Sequence, residues 1–294
     1  MRKRRKLLIV LACVAAAVSL VAYLARDQQP TYQGRSLSAW LQIYGSHPTD
    51  HQTSADAEDA LRHISTNAIP FLLEWIGYEP SPFRMKIEEL FDKLPDRWRP
   101  QWVDRPGNRS FAAAVAFAVL GTAGSKAIPE LTKQAITATN EQGTQRATIA
   151  LGGIGPPALP ALLGILTNTQ IQGRFFAIEA IPNLGTSALP ALPTLIQCLD
   201  DPQVEVACAA ADALGRLALA PAATIPALTN LLQSADPARR AYAARGLGGF
   251  ANAASSIVAQ LRHALLDSDQ LARDEARRAS DAIAPELLTN SPAP

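Results

Sequence analysis

The sequence predicts an all-α fold, a right-handed α-solenoid of stacked helical hairpins, and three observations carry that prediction. The first is a line written twice. ALGGIGPPALPALLGIL, Ala150 to Leu166, returns as AIPNLGTSALPALPTLI, Ala180 to Ile196. The second is composition: hydrophobic residues make up 48% but aromatics only 6%, and alanine supplies an unusual share. Alanine has the best helix propensity, and small side chains let helices approach closely. The third is that Val-Ile-Thr alternation over strand lengths is hard to find, so a sheet lacks its period-two signal.

The N-terminus comes before the repeats and reads differently. Met1 to Lys6 is MRKRRK, basic with no acid. Leu7 to Ala25 then carries no charge for about nineteen residues, roughly 28 Å as a helix and close to a bilayer core. Basic residues ahead of such a run stay cytoplasmic. The expectation is a single-pass anchor over residues 7–25 in a bacterial inner membrane, with the rest of the chain on the periplasmic side. A cleaved signal peptide, giving a secreted protein, is the alternative. It fits less well, because a cut after Ala25 would place Tyr23 where a small residue belongs, and a cut near Ala17 would leave an apolar stub. Cys13 has the look of a lipoprotein site, but only about six apolar residues precede it.

Residues 26–56 are read as a linker with a capping helix. Leu37, Trp40, Leu41 and Tyr44 fall at i, i+3, i+4 and i+7, with Ser36 as the cap. A solenoid needs an atypical end unit over its first exposed face. A polar loop from Gly45 to Ser54 should follow.

Residues 57–288 hold the repeats. Aligned sites are Ala68-Ile69-Pro70, Ala127-Ile128-Pro129, Ala158-Leu159-Pro160, Ala188-Leu189-Pro190 and Thr224-Ile225-Pro226, with a degenerate Ser256-Ile257-Val258. The interval from Pro129 onward is about 30 to 36 residues, the mark of a solenoid. Proline suits the first turn of a helix, where its missing N–H would have no partner anyway. Leucines at helical spacing follow, as in ALLGIL, and make a first helix of about ten residues. Polar breaks such as Asp200-Asp201-Pro202, Ser234-Ala235-Asp236-Pro237 and Asp267-Ser268-Asp269 offer N-caps for an alanine-rich second helix. Gly152, Gly185 and Gly215 are expected to turn the chain into the next unit. About five to six such hairpins fit the length. An insertion at about 78–109 interrupts one unit. It carries FRMKIEELFDKL, a plausible amphipathic helix, and then DRWRPQWVDRPGNR. Residues 289–294 are read as a disordered tail.

The pattern Ala-Leu-Gly-x-Ile-Gly, then Ala-Leu-Pro-x-Leu, then Asp-Pro, then Ala-Ala resembles HEAT repeats of the short, phycobilisome-lyase-like kind, over roughly Ala57 to Leu288. That family often opens the second helix with Val-Arg. Here the arginine stands at Arg174 and Arg240, while Ala207 replaces it in between, which breaks the Asp–Arg ladder the resemblance implies. The motif residues are structural, so the resemblance speaks to fold more than to activity.

Chemistry finds little anchorage. His47-Pro-Thr-Asp-His51 is the one place where two histidines approach a carboxylate, and Pro48 breaks helical ligand spacing. His63 and His263 stand alone. Helical-repeat hydroxylases use His-Glu pairs, and the chain has no His-Glu dipeptide. Gly152-Gly153-Ile154-Gly155 lacks a preceding strand and a lysine, so it reads as a turn rather than a phosphate loop. No Gly-x-Ser-x-Gly elbow is present. No catalytic residue, metal or cofactor is expected. Cys198 and Cys208 fall on neighbouring helices as a potential disulfide or, more simply, as two small core residues. A formal charge of +1 argues against nucleic acid.

Function is therefore expected to be binding. The concave face of a solenoid, lined by second helices, takes proteins or peptides. Candidate contacts are Arg174, Glu179, Asp212, Arg240 and Arg245 on that face. Trp98, Arg99 and Trp102 in the insertion are further candidates, as residue types enriched in interface hot spots. The alternatives are tryptophans that fill a gap in the fold, a chromophore-lyase-like subunit, and a purely structural envelope role.

Overall fold

The computed structural model describes residues 29–45, 51–79, 106–168, 173–250 and 254–283. The anchor segment 7–25, Cys13, the amphipathic stretch of the insertion, Trp98, Arg99, Trp102, His47 and the tail lie outside them. A two-residue hairpin, β1 (Thr31–Tyr32) and β2 (Arg35–Ser36), leads into α1 (Leu37–Gly45). Leu37, Trp40 and Leu41 are buried, and the Ser36 hydroxyl accepts the Ala39 N–H at 3.4 Å. The Trp40 indole N–H donates to the Tyr32 carbonyl at 3.0 Å, with the Arg35 guanidinium 5.0 Å from the ring centroid. α2 (His51–Ile64) pairs with α1 as the N-terminal cap. The polar loop expected over Gly45 to Ser54 is thus shorter, because the chain is already helical from His51.

Six hairpins follow among the described residues: α3 (Ile69–Ile76) with α4 (Pro106–Leu120), α5 (Ile128–Thr137) with α6 (Glu141–Ile154), α7 (Leu159–Thr167) with α8 (Arg174–Ala180), α9 (Leu192–Cys198) with α10 (Val204–Leu217), α11 (Pro221–Leu231) with α12 (Pro237–Gly248), and α13 (Ala254–Ala264) with α14 (Gln270–Ile283). The insertion falls between α3 and α4, inside one hairpin. Pro70, Pro129 and Pro160 each occupy the first turn of a helix. Two aligned prolines do not. Pro190 lies in a 3-10 run, and Pro193 opens α9 instead, while Pro226 sits inside α11, which begins at Pro221. The caps are local and polar: Asn140 accepts the Gly143 N–H, Asp236 that of Arg239, and Asp269 that of Ala272, at 2.8 to 3.1 Å.

The hairpins form two layers. First helices bury leucine and isoleucine, such as Leu159, Leu162, Ile165 and Leu166 in α7. Second helices stack one on the next through alanine and glycine. A Cβ on Gly215 would lie 2.6 Å from the Gly246 Cα, and one on Gly153 would lie 2.6 Å from the Ala118 N. These glycines are contact points inside helices. Gly152 and Gly215 therefore do not turn the chain, and Gly152-Gly153 is helix rather than turn. The turns belong to Gly155 (φ 87°) and Gly185 (φ 55°), and in the next unit to Ala218 (φ 49°) and Ala220 (φ 47°). At the register where α12 carries Ala241, Ala244 and Gly248, α14 carries the exposed Asp274, Arg277 and Asp281, so its outer face is polar. Cys198 and Cys208 are free and buried, with no bond between them, and burial pushes the Cys208 thiol up to about 11. Asn108–Thr137 is apolar and long enough to span a membrane by composition. It is two helices joined across Gly121 (φ 52°), with Ala113, Phe117 and Leu131 in the core.

Two substitutions separate the uses of small residues. Gly215→Ala forces backbone apart and should cost about 1–3 kcal/mol in urea unfolding, the range of overpacking. Ala218→Gly relieves a left-handed conformation and should raise stability by about 1 kcal/mol. Equal effects of the two would refute the assignment.

Candidate functional site

Five of the predicted contact residues are described, and they divide by what they touch. Arg174, at the start of α8, is buried and paired within the chain. Its Nε donates to the Leu166 carbonyl at 2.9 Å and its Nη2 pairs with Asp201 in the break before α10. Both side chains are only 7% exposed. Burial pushes Asp201 up, but the Arg174 guanidinium and the Gln203 amide hold it below the usual carboxylate range. Arg240 is likewise structural. Its Nε and Nη2 clamp Asp267 at 2.7 and 2.8 Å, and its Nη1 donates to the Ser234 and Ala235 carbonyls. An arginine in each case ties its own polar break to the aspartate of the next.

The gap at Ala207 is filled from elsewhere. Arg239, in the following unit, reaches back to the Leu199 and Asp201 carbonyls at the end of α9. Arg146 in α6 does the same to α3, donating to the Ile76 carbonyl at 3.0 Å and the Tyr78 carbonyl at 2.8 Å. Beside it, Thr139 donates through its N–H and hydroxyl to Glu79, holding that carboxyl below its usual range. Glu79, Thr139, Arg146 and Gln134 line a cavity of about 230 Å³, and the Gln134 Oε1 is buried without a hydrogen-bond partner.

Glu179, Asp212 and Arg245 are the predicted residues that the structure brings together. They join Arg216, Glu275 and Arg278, which sequence reasoning missed, in one ion-pair ladder crossing α8, α10, α12 and α14. Glu179 meets Arg216 at 3.4 Å. Asp212 lies 4.0 Å from Arg216 and 3.7 Å from Arg245. Arg245 grips Glu275 through Nε at 3.1 Å and Nη2 at 2.7 Å, and Arg278 reaches the same carboxylate at 2.6 Å. The Tyr242 ring stacks under the Arg245 guanidinium, 4.5 Å from centroid to carbon. The ladder is half in water: Arg216 is 42% and Glu179 39% exposed, while Glu275 is 3% exposed and anchors it. A signal for it did exist in the sequence, since Glu179, Asp212, Arg245 and Arg278 recur at one constant interval. Among the described residues, no three His, Cys, Asp or Glu side chains converge as a metal site would need.

The two classes of arginine should respond differently to truncation. Arg174→Ala leaves a buried carboxylate unpaired and should cost about 3–5 kcal/mol, whereas Arg216→Ala should cost under about 1 kcal/mol. Chemical denaturation measures both, and similar losses would contradict the division. Arg240 holds the Asp267 carboxyl down at about 2. With an unfolded value near 4, this pair stabilises the fold fully above about pH 4. The contribution is lost as pH falls through about 2. Asp267→Asn should flatten that stretch of a stability–pH profile from urea melts. An unaltered slope would show that the acid limb belongs to other groups.

The HEAT-repeat family profile matches residues 159–234, from α7 to the break after α11. No curated protein sequence matches the chain. Among solved structures, the karyopherin Kap121p bound to the SUMO protease Ulp1p is similar over 86% of this chain and 31% of that one, at 14% identity and a TM-score of 0.52. The chain thus spans about a third of Kap121p, and the likeness is one of fold. The complex of CpcE and CpcF of phycocyanin lyase from Nostoc sp. PCC7120 is similar over 53% of this chain and 98% of that one, at 25% identity and a TM-score of 0.47. Human deoxyhypusine hydroxylase is similar over 84% and 95%, at 17% identity and a TM-score of 0.37. With its proline-opened first helices, its stacked alanine-rich second helices and this profile at its centre, the chain carries HEAT repeats over residues 159–234.

Proposed function

We propose that the protein is a membrane-anchored, extracytoplasmic scaffold that binds a protein or peptide on the face made by its second helices. Residues 7–25 supply the anchor, and the mechanism is complementarity of shape and charge with no covalent step. The observation that carries this reading is the half-exposed ladder from Glu179 to Arg278, which runs across four successive second helices. Junction arginines such as Arg174 are buried by their structural work. The ladder charges keep part of their hydrogen-bonding capacity for a partner, and Arg245 on Tyr242 is the kind of pair that anchors interfaces.

Curvature supports the same face. Second helices meet through alanine and glycine, first helices through leucine. Interaxial distance follows side-chain size, so a two-layer stack bends toward its closer-spaced layer. The second helices then line the concave side of a right-handed superhelix. Kap121p, whose fold this chain resembles, is bound to the SUMO protease Ulp1p in the structure that matches, which is compatible with a protein partner here.

The test is crosslinking and affinity capture from native membranes, comparing the intact chain with Arg216→Ala/Arg278→Ala. One stoichiometric partner should be recovered by the intact chain, and at least about tenfold less by the variant, with helicity and melting unchanged. Equal recovery by both would remove the ladder from the interface.

A further inference from the structure

The charges on the second-helix face are ordered, and the order describes a partner. Glu179 in α8, Asp212 in α10, Arg245 in α12 and Arg278 in α14 occupy the same register in consecutive second helices. Read along the stack, the signs are negative, negative, positive, positive. Two other charges share the ladder. Glu275 is 3% exposed and lies beneath Arg245 and Arg278, so it is screened from the surface. Arg216 sits one helical turn further along α10 and lessens the acidity of that half without reversing it. Arg278 is the most open of the set, at 70%.

We propose that this face binds an extended segment with a basic block at one end and an acidic block at the other, the basic end over Glu179 and Asp212 and the acidic end over Arg245 and Arg278. The inference rests on the scaffold reading above and gives its partner a chemistry. The Glu179–Arg216 pair is exposed on both sides and is worth roughly 0–1 kcal/mol, so an incoming charge can share it at little cost, and Arg278 at the other end is 70% exposed. Length follows from packing. Helices spaced about 8–10 Å apart put the first and last charge about 25–30 Å from each other. An extended chain at about 3.3 Å per residue covers that with about eight or nine residues. Opposite orders along one surface also discriminate. A segment whose charges alternate from site to site meets a like charge at two of the four sites.

The experiment uses the full chain in detergent and two labelled peptides of about ten residues. One has three lysines at one end and three glutamates at the other across a Gly-Ser spacer. The second has the same residues with the charges alternating. Fluorescence anisotropy should show the block peptide binding at least tenfold tighter, with the difference shrinking as salt rises. The exchange Glu179→Lys/Arg278→Glu keeps the net charge and destroys the order, and should bring the two peptides within about twofold of each other. Glu179→Gln/Arg278→Gln, which adds no repulsion inside the ladder, should shift the preference the same way and covers a folding defect in the exchange. Equal affinity for both peptides, no binding of either, or a preference that survives the exchange would overturn the proposal. If the partner captured from membranes binds the exchanged variant as well as the intact chain, the scaffold reading stands and the charge order alone is refuted.

Discussion

Backbone-to-backbone approach between second helices is the constraint on which the rest of the structure depends. Gly215, Gly246 and Gly249 bring α10 and α12 so close that an added methyl would fall within 3 Å of main chain. That distance is what permits alanine to serve as a core residue here. An alanine buries little surface, but when neighbouring helices touch through their backbones, dispersion contacts and exclusion of water replace the missing side-chain bulk. The leucine-rich first helices then close the other side of each unit. No hairpin could bury its faces by itself, and the stack supplies the cover.

Tight stacking of second helices leaves the helix ends as the places where polarity must be handled. Each break between helices exposes carbonyls at the end of one helix and N–H groups at the start of the next. Arginines from adjoining units meet this need. Arg146 and Arg239 reach to carbonyls of the preceding unit, while Arg174 and Arg240 hold aspartates of the following one. A cation at a helix C-terminus also opposes the negative end of the helix dipole. The same side chains thus satisfy hydrogen bonds and fix the angle between repeats, and that angle decides where the ladder charges stand relative to one another.

Much of the fold was legible because its signals are local. Proline in a first turn, aspartate or asparagine at an N-cap and leucine at helical spacing each depend on a few neighbouring residues. Pro70, Pro129, Pro160, Asp236 and Asp269 could be placed for that reason. Glycine is ambiguous, since it serves both turns and close contacts, and only the packed structure assigns Gly155 to the first use and Gly215 to the second. Arginine is ambiguous in another way. Its long side chain can fold inward to carbonyls or outward to water from the same helical position, so Arg174 and Arg240 looked like surface contacts beside Arg245. The replacement of a missing arginine at Ala207 by Arg239 from another repeat is a three-dimensional solution without a linear signature. Glu275, almost wholly buried, could not be known as the anchor of the ladder until its neighbours were in place.

The position of the long insertion has a consequence for how this chain can change. It departs after α3 and returns at α4, within one hairpin, while its departure point is pinned by Arg146 on the Tyr78 carbonyl and by Thr139 on Glu79. Those ties come from the next unit, so the end of α3 is fixed against α5 and α6 by residues outside the insertion. Closing a longer loop costs only about 0.6 kcal/mol for each doubling of its length. A change of length between Glu79 and Pro106 therefore leaves these ties in place. That junction is a port in the solenoid, open to evolutionary tinkering and to grafting by design.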